Sequence, residues 1–331
     1  MDHDSLLALF RRIVLATTPL LAGGCGPDYG YCPPDQEITL PVGSVVTDAG
    51  VGDAGSPVDG GIDDLVARCQ AAAANCLPLC AATLSKLKPA GANIKQCELV
   101  TGGTGLAVHV VYADYCLGGR RPEGLAVGTA RGEPSPLGAW LAATAHLEAA
   151  SIDAFAILAA EVEAHRGPTR LARAARAAAR DERRHADAMG ALAARHGAVP
   201  PAVEVARAPV RDVESIAREN AVEGCVRETF AALVAWRQAR AAGDPSIRAA
   251  MSAIARDETR HAALAWAVDD WTRALLTPAA RRRVREARGE ASARLLDEQA
   301  VAAPPALRAQ AGLPAPDEGR FMAEMLRARL A

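Results

Sequence analysis

Two heptapeptides decide the reading of this chain: Arg180-Asp181-Glu182-Arg183-Arg184-His185-Ala186 and Arg256-Asp257-Glu258-Thr259-Arg260-His261-Ala262. Each holds a Glu-x-x-His pair. On a helix, residues three apart share a face one turn from each other, so the carboxylate and the imidazole can reach one ion together. The flanking residues have helical apolar periodicity. Leu171, Ala175, Ala178, Glu182, His185, Met189 and Leu192 make one stripe, and Ile247, Met251, Ile254, Glu258, His261, Leu264 and Val268 the other. Ionisable groups inside an apolar stripe are costly when unpaired, so these four need a partner.

Two further stretches supply one. Glu148 lies on the stripe Leu141, Thr144, Ile152, Phe155, and Glu223 on the stripe Ile216, Val226, Phe230, Leu233. Glu148 precedes Glu182 by 34 residues and Glu223 precedes Glu258 by 35, so a helix pair is repeated with an offset of 75 residues. Four long helices are predicted, at about 137–165, 168–196, 211–242 and 245–274, with stops at Gly167-Pro168, at Gly197 with Pro200-Pro201, and at Gly243-Asp244-Pro245. One glutamate from each of two helices plus Glu-x-x-His from each of the other two is the ligand set of a carboxylate-bridged dimetal centre in a four-helix bundle. A single Glu-x-x-His reads better as an ion pair; two in register, each preceded by an inward glutamate, read as a metal site. An oxygen-rich set with one imidazole per ion suits iron or manganese better than copper or a structural zinc. Glu219, one turn before Glu223, is a candidate extra ligand. Asp181 and Asp257 read either as acceptors that orient the imidazoles or as surface ion pairs with Arg184 and Arg260.

On these motifs, residues 137–274 resemble the ferritin-like superfamily of di-iron and di-manganese carboxylate proteins, which includes the rubrerythrins; all six ligand types occur in order, as Glu148, Glu182, His185, Glu223, Glu258 and His261. The resemblance implies two iron ions, or manganese with iron, as cofactor, and oxygen or peroxide as partner. The chain also departs from the family. Rubrerythrins add a carboxylate three residues from the third-helix ligand, where this chain has Asn220 and Val226, and the rubredoxin-like Cys-x-x-Cys pairs are missing, so the electron donor is external. Residues 137–274 contain no tyrosine, which argues against a tyrosyl-radical generator. His109, His146, His165 and His196 read as structural or solvent-facing, and Cys225 as a small buried hydrophobe.

The composition agrees with a soluble globular chain. Of 331 residues 50% are hydrophobic and 23% charged, which excludes disorder throughout and a polytopic membrane protein. The 37 basic and 39 acidic residues nearly cancel, so no nucleic-acid partner is expected. Residues 11–25 place two arginines before a short apolar run and small residues ending at Cys25, the pattern of an export signal. Cys25 reads as the lipidated cysteine of a bacterial lipobox, with Leu21 one place early; an ordinary cleaved signal is the alternative. Lipid anchoring to the bacterial cell envelope follows, facing the periplasm or the outside. In that oxidising compartment Cys32, Cys69, Cys76, Cys80, Cys97 and Cys116 are disulfide candidates, their connectivity open among fifteen pairings, with a zinc site as the rival.

The expected fold class is mainly α. Signal (1–25) and flexible tether (26–61) lead to a small disulfide-stapled α+β domain (62–117) and a linker (118–136). A ferritin-like dimetal bundle (137–274) and a C-terminal helical extension (275–331) follow. Three functions fit: a membrane-tethered di-iron oxidase, hydroxylase or peroxidase; a non-enzymatic iron-binding or iron-buffering surface lipoprotein; and a metal-free structural interaction module.

Overall fold

The computed structural model describes residues 2–17, 36–41, 62–71, 76, 79–80, 93–102, 105–113, 119–125, 131–132, 135–206, 209–299 and 303–330. The protein is mainly helical. In chain order its elements begin with α1 (His3–Thr17), β1 (Gln36–Pro41), α2 (Ile62–Ala71), β2 (Asn93–Gly102), β3 (Gly105–Ala113) and β4 (Arg131–Gly132). Then come α3 (Pro136–Ala164), α4 (Thr169–Arg195), β5 (Ala198–Val199), α5 (Val213–Glu219), a π-helical segment Asn220–Glu228 and α6 (Thr229–Ala241). The chain finishes with α7 (Pro245–Leu275), α8 (Pro278–Glu298), α9 (Pro305–Ala311) and α10 (Pro316–Leu330). It divides into two compact units, residues 31–115 and the remainder.

The smaller unit is an antiparallel sheet in the order β1-β3-β2 with α2. Leu65, Cys69, Leu79, Cys80, Val108 and Val110 form its core, and disulfides join Cys69 to Cys76 and Cys80 to Cys97. Cys25, Cys32 and Cys116 lie outside the described residues. The strand β1 falls in the stretch expected as tether. Gln36-Glu37-Ile38-Thr39-Leu40-Pro41 is too short to show a period by itself, and its partner is some seventy residues away: Ile38 pairs with Val110 and Leu40 with Val108.

In the larger unit α3 and α4 form one antiparallel pair and α6 and α7 another, and α4 packs on α7. The caps explain where these helices begin. Ser135 Oγ accepts from the Gly138 amide at 3.1 Å with Pro136 in the first turn, and Asp244 Oδ1 accepts from the Ser246 and Ile247 amides at 2.7 and 3.1 Å with Pro245 following. The α3–α4 turn runs through Arg166 at φ 54° into Gly167, where a Cβ would lie 2.7 Å from the Trp271 ring. By length and composition α3 is apolar enough to cross a membrane, but two thirds of its most apolar window is buried inside the protein, as in a core helix.

The first helix belongs to this unit too. Leu6, Leu9 and Phe10 of α1 share a core with Val226, Phe230, Leu233, Leu295, Met322 and Leu326. Beyond α7, the extension adds α8 and α10, and also the short α9, which stops at Gly312 with φ 68°. Arg237 donates to Glu318 at 2.8 Å and to the Gly312 carbonyl at 2.5 Å, tying α10 to α6.

Candidate metal centre

The repeated heptapeptides face each other where α4 meets α7. Carboxylate oxygens of Glu148, Glu182 and Glu258 and a ring nitrogen of His185 lie within 4.8 Å of one another, all buried, a group that can hold a metal ion. His185 Nδ1 is 3.6 Å from Glu148, 3.5 Å from Glu182 and 3.4 Å from Glu258. His261 Nδ1 is 3.0 Å from Glu182 and 3.4 Å from Glu258, so the fifth expected ligand joins the cluster. Both rings therefore turn Nδ1 inward.

Their outer nitrogens explain why. His185 Nε2 lies 3.1 Å from Asp257 Oδ2, and His261 Nε2 lies 3.4 Å from Asp181 Oδ2. Each aspartate thus holds the histidine of the other heptapeptide. Arg184 Nη2 then donates to Asp181 at 2.7 Å and Asp257 at 3.1 Å, and Arg260 Nη2 donates to Asp257 at 2.7 Å and Asp181 at 3.1 Å. The two readings of these aspartates are realised together: one oxygen orients an imidazole while the carboxylate also pairs with arginine. An acceptor on Nε2–H leaves the lone pair on Nδ1, the tautomer that presents a donor to an ion in the cluster.

Electrostatics divide the cluster. Burial, with Glu182 beside it, raises the Glu148 pKa well above the ordinary carboxylate range. Burial acts the same way on Glu182, but His185 and His261 more than offset it and bring that carboxyl down to about 2. Against the cost of their own burial, the surrounding carboxylates raise both histidines well above an ordinary imidazole. Among the described residues, thirteen buried side-chain nitrogen and oxygen atoms have no hydrogen-bond partner; seven belong to Glu148, Glu182, His185, Glu258 and His261, and three more to Glu223 and Glu228. Buried polar atoms are normally satisfied, so the seven on these five residues mark a place that can hold a ligand.

The third helix differs from its α-helical reading. Glu223 is partly exposed, 3.5 Å from Arg227 Nε, with one oxygen buried and unpartnered. Glu219 is taken by Arg120, which donates to its two oxygens at 3.0 and 2.7 Å. On the same helix Glu228 is fully buried, neither of its oxygens makes a hydrogen bond, and it interacts electrostatically with His261, Glu258 and Glu182. Burial pushes its pKa up to about 8, against the lowering effect of Arg120 and His261. The cause of the shift in register is the π-helical segment Asn220–Glu228, whose wider turn offsets every later residue from an α-helical count. A signal for Glu228 was present in the sequence: it stands fourteen residues before Ala242, and Glu258 stands fourteen after Asp244, so the two are level across the α6–α7 turn.

His109, His146, His165 and His196 are held elsewhere. His146 meets the Pro201 carbonyl at 3.2 Å, His165 the Arg211 carbonyl at 2.7 Å, and His109 the Thr39 hydroxyl at 3.2 Å, while His196 caps α4. Cys225 is a free thiol, buried, with the Ala265 carbonyl 3.7 Å away. No protein-family model, curated protein or solved structure matches this chain.

Proposed function

We propose that this chain is a ferritin-like, four-helix carboxylate protein that holds two iron ions, or manganese with iron, and reacts with oxygen or peroxide. One observation carries the reading: buried, unpartnered carboxylate oxygens and two inward Nδ1 atoms crowd one point, each imidazole oriented by an aspartate of the opposite helix. The donor set fits such a pair. Four buried carboxylates, Glu148, Glu182, Glu228 and Glu258, balance two divalent cations with both imidazoles neutral, so the loaded core carries no net charge. In a metal-free module the same groups would stand as ion pairs between these carboxylates and protonated His185 and His261.

A bound metal pair would supply redox chemistry with oxygen. The chain's residues do the rest. His185 and His261 provide one neutral donor each, fixed by Asp257 and Asp181. Glu148, Glu182, Glu258 and Glu228 bring the negative charge, Glu228 from the third helix. Phe155, fully buried with its ring 5.0 Å from that of His261, helps to keep water from the core. The two disulfides favour an oxidising, exported setting; the lipid anchor at Cys25 and the external electron donor belong to the proposal on the sequence pattern alone.

Metal analysis of the purified full-length protein tests this reading, with two ions per chain expected. The protein reloaded with ferrous iron should consume oxygen or peroxide, and Glu182→Ala or Glu258→Ala should abolish that consumption. Protein that retains no metal would return the heptapeptides to ion pairs. Two bound ions without any oxygen or peroxide reaction would make the chain an iron-binding surface protein.

A further inference from the structure

Gly118-Gly119-Arg120-Arg121 has the composition of a linker, yet Arg120 is 1% exposed, the largest fully buried side chain among the described residues. It is also heavily engaged. Its Nε and Nη2 donate to Glu219 at 3.0 and 2.7 Å, and its Nη1 donates to Asn220 Oδ1 at 3.2 Å and lies 3.9 Å from Glu228 Oε2. Glu219 and Asn220 stand where the π-helical segment begins and Glu228 where it ends. One guanidinium therefore spans both ends of the irregular turn.

The surroundings are shaped to admit it. Gly119 has φ 94°, and a Cβ there would sit 2.5 Å from Ser151 Oγ, which itself donates to the Arg120 carbonyl at 3.0 Å. Gly224, inside the π-helical segment, would with a Cβ press within 3.1 Å of Arg120 Nη1 and 2.6 Å of the Ala265 Cβ. The guanidinium carbon lies 5.9 Å from the centroid of the Phe155 ring, which packs on His261. Burying an arginine is costly unless it is paired, and Glu219 neutralises it. Glu228 gains no direct hydrogen bond from Arg120, so its two oxygens remain available.

We infer that Arg120 is a positioning residue for the metal centre: by joining Glu219 and Asn220 at one end of the π-helical segment and facing Glu228 at the other, it sets the third helix so that Glu228 enters the core. This rests on the proposed metal-binding function. Outer groups that orient a ligand typically change metal affinity 10–100-fold when removed. The effect should fall on the ion that Glu228 serves and spare the other.

Cobalt(II) titration of the full-length, metal-depleted protein, followed by visible absorption, separates the possibilities. Wild type should take up two ions with two spectral components. Arg120→Ala should hold the first ion within about threefold of wild type and bind the second 10–100-fold more weakly, with its spectral component altered. Arg120→Lys covers the case in which that variant does not fold. An ammonium cannot hold Glu219 and Asn220 and face Glu228 at once, so the second ion should again bind about tenfold more weakly. Equal loss at both ions, or wild-type affinity in Arg120→Lys, would overturn the inference while leaving the metal centre standing. Wild-type protein that binds no cobalt would remove both.

Discussion

At the residue scale, each imidazole of the buried cluster has two faces with different surroundings. Nδ1 of His185 and of His261 looks into the carboxylates, and Nε2 of each meets an aspartate from the other heptapeptide. In the metal-free protein those carboxylates hold both rings protonated, their pKa values well above the ordinary imidazole. The sign of the linkage follows. The stabilisation from the charged rings is complete below the unfolded histidine pKa, about 6.5, and is lost as pH rises through the raised folded values. A metal ion competes with those protons for Nδ1, so binding must release protons and affinity must increase with pH. Calorimetry at neutral pH in two buffers of different ionisation enthalpy should find net proton release; proton uptake would contradict the inward Nδ1 assignment. Asp257→Asn leaves the ring of His185 without its anionic acceptor, and a competition titration with a chelator should find binding 10–100-fold weaker.

At the element scale, the informative piece is the π-helical segment between α5 and α6. Its nine residues carry Asn220 and Gly224 against α7: Asn220 Nδ2 donates to the Ala265 carbonyl at 2.9 Å, and Gly224 leaves no room for a side chain. Two glycine replacements should therefore differ in sign. In Gly224→Ala the new Cβ would meet Ala265 at 2.6 Å and Asn220 Oδ1 at 2.9 Å, overpacking that should cost about 1–3 kcal/mol. In Gly289→Ala, within α8, the new Cβ has nothing within 4 Å, and the better helix former should stabilise by about 0.5–1 kcal/mol. Urea unfolding of the metal-free protein measures both. A Gly224→Ala midpoint equal to wild type would mean that the segment yields easily and does not hold its neighbours in place.

For the molecule as a whole, α1 is the unexpected participant. Residues read as part of an export signal place Leu6 and Phe10, 0% and 1% exposed, in the core that also contains Val226 and Phe230. Val226 lies in the same π-helical segment as Glu228, so this contact reaches the segment that carries Glu228. Truncating a fully buried phenylalanine in such a core costs about 3–5 kcal/mol. Phe10→Ala in the full-length chain should show a loss of that size in denaturant unfolding. A loss under 1 kcal/mol would mean that α1 rests on this face without contributing to its stability, as a segment removed on export would.

The sequence by itself determined the parts of this protein that rest on local period and local caps. Glu-x-x-His at three-residue spacing puts both groups on one helix face, and the stops at Gly167-Pro168 and Gly243-Asp244-Pro245 divide the helices; Glu148, Glu182, His185, Glu258 and His261 were legible for that reason. Tertiary structure decided the rest, apart from the one count that sets Glu228 level with Glu258 across the α6–α7 turn. A π-helical turn is stabilised by contacts from other elements, and here they come from Arg120 in a stretch that reads as linker and from Ala265 on α7, so no period in residues 211–242 distinguishes Glu228 from Glu223. The strand β1 likewise takes its conformation from a partner some seventy residues away, through main-chain hydrogen bonds that any six-residue extended segment can make. Helical spacing is a property of the chain's own backbone, whereas the choice among three glutamates on one helix belongs to whichever distant groups compete for them.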